Sequence, residues 1–295
     1  MQRRRGESGQ ATVLFAISAV ALLSMGALSL DAGRAYVLSQ HLKSTADAAA
    51  LAGAQDLPAN PTAAAVDAQA AAQANGLSAQ DVAISVSQGN EVITVTTKGT
   101  IPYYFASLFG VDSGSFSETS AAQVGPQDQL QGALPLGVFL QSFVYGQTYS
   151  LKGGSEGESC GNFGALALGG NGASVYRQNL ENGYSATLAI GEQVSTEPGN
   201  MVGPTQQGLD GRIAADPNST YETVLPTSPR VLYLPVVSSS GCGKSDVTIL
   251  GFAAFYLQSA GCDGSVTGQF MRLVRNGSFG AGAGDYGLES ERLIQ

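Results

Sequence analysis

Histidine occurs once, at His41, tryptophan not at all, and cysteine three times, at Cys160, Cys242 and Cys262. None of the cysteines sits in a Cys-x-x-Cys pair or near a second soft ligand at metal spacing, so the sequence offers no metal site and no cofactor is expected. Positive charge is also scarce. Lys and Arg number 14 against 23 acidic residues, only 13% of the chain is charged, and the net charge is −9. Arg3, Arg4 and Arg5 stand with Glu7 in the first ten residues, and residues 11–30 carry no charge, so the acidic excess lies past residue 30. An acidic body repels phosphate backbones, which argues against nucleic acid as a partner. The composition is polar but uncharged, with 39 Gly and 11 Pro, short of the charge density that keeps a chain disordered. The chain has room for two domains of ~100 to 200 residues each, and Gly-rich β structure is expected in them.

What the sequence does contain is a single long apolar run. Residues 11–30 (ATVLFAISAVALLSMGALSL) are twenty residues without a charge. At ~1.5 Å rise per residue, a helix of that length matches the ~30 Å hydrocarbon thickness of a bilayer. The three arginines before it keep that end cytoplasmic by the positive-inside bias and place Asp31 onward on the far side. A cleavable signal peptide is the competing reading, with Ala27 and Ser29 as a small-residue cleavage pair. The apolar run is longer than a usual signal core, and Ala35, Leu38, Leu42, Ala46, Ala49 and Gly53 continue the helical spacing beyond it, which favours a permanent anchor. Ala19, Gly26 and Ala27 offer a small-residue face for packing against other helices in the bilayer.

The same segment carries a family resemblance. Residues 9–16 (GQATVLFA), beginning with Gly9 and Gln10, then residues 31–34 with Asp31, Gly33 and Arg34, then residues 44–54 (STADAAALAGA) resemble the N-terminal region of TadG-like Flp pilus-assembly proteins. TadE-type pseudopilins carry a Glu early in the apolar run where this chain has Leu14, so an uncleaved anchor is expected. Residues 161–168 (GNFGALAL), 196–205 (TEPGNMVGPT) and 251–255 (GFAAF) are similar to the C-terminal region of TadG-related proteins of Gram-positive bacteria. The resemblance implies a role in pilus or surface assembly without catalysis, and other pilus-assembly proteins as partners.

Beyond the anchor, Pro58 and Pro61 break the pattern, and residues 62–75 read as an Ala-rich helix packed through Ala64, Ala68, Ala71 and Ala72 and stopped by Gly76. Val82, Ile84 and Val86 alternate with polar residues, Gly89 and Asn90 offer a two-residue turn, and residues 92–97 answer as the second strand of a hairpin. Pro102 opens a helix whose Tyr103, Tyr104, Phe105, Leu108 and Phe109 form an aromatic stripe expected to pack on that hairpin. Residues 116–124 read as a further strand. The fold class is therefore α+β: a transmembrane helix continuing into a small unit over residues 31–125, a linker at 126–132, a β-rich domain over 133–279 and a mobile tail over 280–295 in which Leu288, Leu293 and Ile294 can dock. Within the β-rich domain, helix is expected only near 208–214, and residues 231–237 and 247–258 are its strongest core strands.

Several strings imitate chemistry. Residues 153–157 (GGSEG) match Gly-x-Ser-x-Gly, but the lone His41 lies on the anchored helix, far from that loop. Residues 282–287 (GAGDYG) match a dinucleotide fingerprint without the strand, helix and acidic residue it requires, and residues 243–245 (GKS) lack the first Gly of a phosphate loop. Asp263, Ser265 and Thr267 approach an Asp-x-Ser-x-Ser metal motif without the alternating β and α context. Residues 197–200 suggest a rigid turn in which Pro198 and Gly199 present Glu197 and Asn200 as a recognition loop, the plain alternative being a tight turn between strands. If the body is extracytoplasmic, Cys242 and Cys262 are candidates for a disulfide contributing roughly 3 kcal/mol, which leaves Cys160 odd; three unpaired thiols is the alternative. A structural assembly subunit anchored through residues 11–30 is the leading reading. A tethered binding module for cell-wall glycan or a surface protein is the rival.

Overall fold

A computed structural model describes residues 7–140, 142–151, 164–197, 199, 201–238, 244–280 and 282–294. One helix, α1 (Glu7–Ala54), runs 48 residues without interruption, so the uncharged span and the small-residue segment after it are a single rod. No Pro interrupts it and Ala and Leu dominate, both strong helix formers. The first helical residue of α2 (Pro61–Ala74) is Pro61, and Asn60 caps it, its side-chain oxygen accepting from the Ala63 N–H at 3.0 Å. Gly76, at φ 89°, follows its end as the sequence indicates.

Strands β1 (Val82–Ser87) and β2 (Val92–Pro102) form the expected hairpin, though its loop is longer than two residues. Gln88, Gly89 and Asn90 all take positive φ there. The strand β3 (Ser113–Pro126) pairs with β2 along its length, from Val92 opposite Gln123 to Pro102 opposite Ser113. That pairing overrides the helix expected from Pro102: β2 consumes the first residues, the Tyr103 N–H continues the ladder to the Asp112 carbonyl, and only a 3-10 turn (Ala106–Phe109) remains. Of its aromatic stripe, Tyr103 lies against Gly114 of β3, whereas Tyr104, Leu108 and Phe109 do not pack on the hairpin and are 64%, 80% and 72% exposed.

The remaining elements are β4 (Gln129–Gln131), β5 (Val138–Phe139), β6 (Thr148–Ser150), α3 (Ala173–Asn182), β7 (Thr187–Ala189), β8 (Gln193–Ser195), α4 (Val202–Ala215), β9 (Val231–Val237), β10 (Asp246–Ala260), β11 (Val266–Met271), β12 (Leu273–Asn276) and β13 (Leu288–Ile294). A second sheet runs in the order β5-β9-β10-β11-β6, with β8 on the flank of β10, and β4 pairs with β7 in a two-stranded ribbon. Its central strands β9 and β10 are buried on both faces. Leu232, Leu234, Phe255 and Leu257 meet Tyr176 and Leu180 of α3 and Leu209 of α4, while Val231, Phe252 and Ala254 meet Leu130, Leu188 and Leu288 on the other side. Strands covered on both faces read as near-continuous apolar runs, which is why these two were visible in the sequence.

Three further expectations are corrected. The stretch read as a linker is structured: β3 continues through Pro126, β4 follows at once, and the Leu130 side chain is fully buried. Residues 288–294 are no tail, because β13 inserts between β3 and β12 to complete the first sheet, β1-β2-β3-β13-β12, with Glu289 opposite Pro126 and Ile294 opposite Ala121. The region expected to be β-rich with one helical piece carries both α3 and the 14-residue α4. Glycines surround α3 in sequence and mask a short amphipathic helix whose Tyr176 and Leu180 are buried one turn apart.

Candidate functional site at the exit of the long helix

None of residues 11–30 is buried, although Leu14, Phe15, Leu22 and Leu23 among them are large and apolar. One helix is thus long and apolar enough to cross a membrane. From residue 42 onward the same helix turns its small residues inward. Ala49, Ala50 and Ala54 pack with Ala64 and Ala68 of α2 and with Ile93, Val95, Ala122 and Val124 of the first sheet. Gly53 sits where a Cβ would come within 2.5 Å of both the Ala64 carbonyl oxygen and Ile93 Cδ1, so the helices touch through a bare backbone.

Between these two regimes lies Asp31, 3% exposed in spite of its charge. Its Oδ1 accepts from the Tyr104 N–H at 2.9 Å, and its Oδ2 accepts from the N–H groups of Phe105 and Ala106 at 2.8 Å each. These amides open the 3-10 turn and have no partner within it, so a carboxylate from a distant helix does the work of a local cap. Burial acts to raise the Asp31 pKa, but the three N–H donors and the Arg34 charge outweigh it and hold the carboxyl below its ordinary value. Arg34, one turn on, donates to the Pro102 carbonyl at 3.0 Å and stacks its guanidinium 4.1 Å from the Tyr104 ring centroid. Asp31 and Arg34 together clasp the β2–β3 connection to the helix.

Contacts above the clasp keep the hairpin parallel to the rod. The Thr97 hydroxyl donates to the Leu42 carbonyl at 3.1 Å, Ser39 donates to Glu118 at 2.6 Å, and Lys43 donates to the Thr119 carbonyl at 3.1 Å. Gly99 brings β2 close to the helix, since a Cβ there would lie 3.2 Å from Leu38 Cδ1. Of the other motif positions, Gly9 and Gln10 lie in the first turn of α1, at the opposite end of the span, and do not join the clasp. Gly33 has open space where a Cβ would be, and nothing in the structure explains its being glycine.

The remaining sequence-derived positions do not converge on one site. Glu197 is 4% exposed and its carboxylate accepts from the Gly172 N–H at the start of α3, a helix end that favours negative charge. Asn200 lies outside the described residues. Cys262 is exposed, with Sγ 3.6 Å from the Gln206 amide nitrogen, while Cys242 and Cys160 lie outside the described residues. Asp263 uses Oδ1 to accept from both the backbone and the hydroxyl of Ser265, which closes a turn on itself and lowers its pKa. Residues 153–157 and Gly243 are outside the described residues, and the 282–287 string lies in the loop before β13.

Sequence reasoning missed all three partners of Asp31 and a cluster at the C-terminal strand. In that cluster Arg272 bonds Asp285 at 2.9 Å and Glu289 at 2.6 Å. An Asp directly after an uncharged span was a legible signal, but its partners lie 73 to 75 residues further on. Among the described residues, no group of three or more His, Cys, Asp or Glu is placed to hold a metal ion.

No curated protein and no solved structure matches the chain. Residues 9–56, which hold the uncharged span, the Asp31–Arg34 clasp and the small-residue packing face, match the family model described as putative Flp pilus-assembly TadE/G-like.

Proposed function

We propose that the chain is a membrane-anchored subunit of a Flp/Tad-type pilus-assembly or surface-secretion system, with its basic N-terminal end in the cytoplasm and its body outside, acting structurally rather than as a catalyst. The observation that carries this reading is the continuity of α1: one 48-residue helix passes from an uncovered apolar span directly into the core of the folded body. The clasp at Asp31 supports the same reading, because it fixes the body rigidly at the point where the span ends. The family match over residues 9–56 supports the pilus-assembly context, and the three arginines before the span support the orientation.

Affinity purification of the full chain from detergent-solubilised membranes tests the assignment. Co-recovery of other pilus-assembly proteins is expected. Recovery of cell-wall glycan or unrelated wall proteins in their place would instead identify a tethered binding module.

A further inference from the structure

The β2–β3 hairpin descends along α1 toward the end of the apolar span. Thr97 is level with Leu42, Gly99 with Leu38, Pro102 with Arg34, and the amides of Tyr104 to Ala106 with Asp31. β3 climbs back by way of Glu118 beside Ser39 and Thr119 beside Lys43. The tip of the hairpin is therefore the part of the folded body nearest to residues 11–30. That tip, residues 103–111 (YYFASLFGV), contains no charged residue. It leaves Tyr104, Leu108, Phe109 and Val111 exposed at 64%, 80%, 72% and 50%. Large apolar side chains gathered on one turn and left open to water mark a contact surface. Tyrosine and phenylalanine beside the end of a spanning helix suit the boundary between headgroups and acyl chains.

We infer that the hairpin tip is a second membrane contact: residues 104–111 insert Leu108 and Phe109 into the outer leaflet beside the exit of α1, with Tyr104 at headgroup level. This rests on the anchor reading given above and deepens it. A single spanning helix can rotate and tilt in the bilayer and carries a rigidly attached body with it. A second contact held at a fixed depth by Asp31 and Arg34 sets the angle of the whole body on the membrane, which a subunit that must present a surface to an assembling fibre requires.

The absence of tryptophan makes the test direct. Three full-length variants, each with one tryptophan, are reconstituted in phosphatidylcholine and phosphatidylglycerol vesicles whose lipids are brominated either near the headgroup or near the chain end. Phe15→Trp reports the span, Phe109→Trp the tip, and Leu225→Trp an exposed site on the body. The expected result is quenching of Phe15→Trp and Phe109→Trp, the latter strongest with bromine near the headgroup and with blue-shifted emission, and no quenching of Leu225→Trp. If Phe15→Trp is quenched while Phe109→Trp is not, the tip contact is overturned and the anchor stands, whether the tip is open to aqueous acrylamide or shielded by another protein surface. If Phe15→Trp is not quenched by either lipid, the anchor reading fails and the tip contact falls with it.

Discussion

The carboxylate of Asp31 and the backbone N–H of Phe105 meet at 2.8 Å across 74 residues of chain. The bond joins the first position of α1 past its uncharged span to the exposed apolar turn at the tip of the β2–β3 connection. Removing the acceptor leaves three amides of the 3-10 turn without partners. Asp31→Ala is expected to raise hydrogen exchange at Tyr104, Phe105 and Ala106 by on the order of tenfold or more, while amides in β9 and β10 keep their protection. Asp31→Asn, with one acceptor oxygen in place of two, should fall between the two. Unchanged exchange in Asp31→Ala would show that the turn is held by other means.

At Gly53 two effects oppose each other. Alanine is favoured over glycine in a helix by about 1 kcal/mol. The added Cβ would sit 2.5 Å from the Ala64 carbonyl oxygen, a backbone atom that cannot rotate away. Overpacking of a well-filled core costs typically 1–3 kcal/mol, so Gly53→Ala is expected to destabilise the body in thermal unfolding of the full chain. A higher midpoint would mean that α1 and α2 separate more easily than their packing indicates.

Glu289 is 4% exposed in β13 and 2.6 Å from Arg272, whose charge is shared with Asp285. Burial first, and then the negative charges of Asp285 and Glu91, push its pKa up from 4.5 to about 7, against the pull of Arg272. The unfolded carboxyl gives up its proton near 4.5, so between there and about 7 the folded state holds the extra proton, and stability falls as pH rises through that window. The contribution is on the order of 3 kcal/mol. Glu289→Gln should flatten this part of the stability curve, measured by chemical unfolding from pH 4 to 8. A variant as pH-dependent as the wild type across that window would contradict the assignment.

The C-terminal strand is placed to act as a seam. Ser290 is fully buried, opposite Gly125 of β3 on one side and Arg275 of β12 on the other. Proline cannot donate to a ladder and is poorly tolerated in an interior strand. Ser290→Pro is expected to cost on the order of 2–4 kcal/mol and to loosen the first sheet as well as the C-terminal strand. Because Leu273 and Leu288 pack in the core of the second sheet while Val274 packs against the core that α1 and α2 form with the first, the loss should appear in one cooperative transition. Two separate transitions, with the α1 and α2 region unaffected, would show that β13 is dispensable to it.

Local pattern made much of this architecture legible. The charge-free run and its continuing helical spacing marked α1, Pro61 and Gly76 bracketed α2, and alternation exposed β1 and β2. Buried apolar runs then exposed β9 and β10. What failed was non-local. The stripe at residues 103–109 has helical spacing, but its start is claimed by strand pairing across the β2–β3 connection, with Pro102 opposite Ser113 and Tyr103 bonded to Asp112. β13 reads as a tail because its neighbours β3 and β12 cannot be inferred from ESERLI. Glu197 looked outward on its turn, yet the helix end that draws its carboxylate inward was not visible in a Gly-rich stretch. Asp31 was noticed as part of a motif, and only the fold shows what it holds.

Protease added to the outside of spheroplasts that express the full chain tests the central claim most directly. An anchored chain with its body outside should sediment with carbonate-washed membranes and lose its C-terminal epitope to the protease, while an epitope ahead of Arg3 survives. Release of the body into the soluble fraction, or protection of the C-terminal epitope until the membrane is broken, would contradict it.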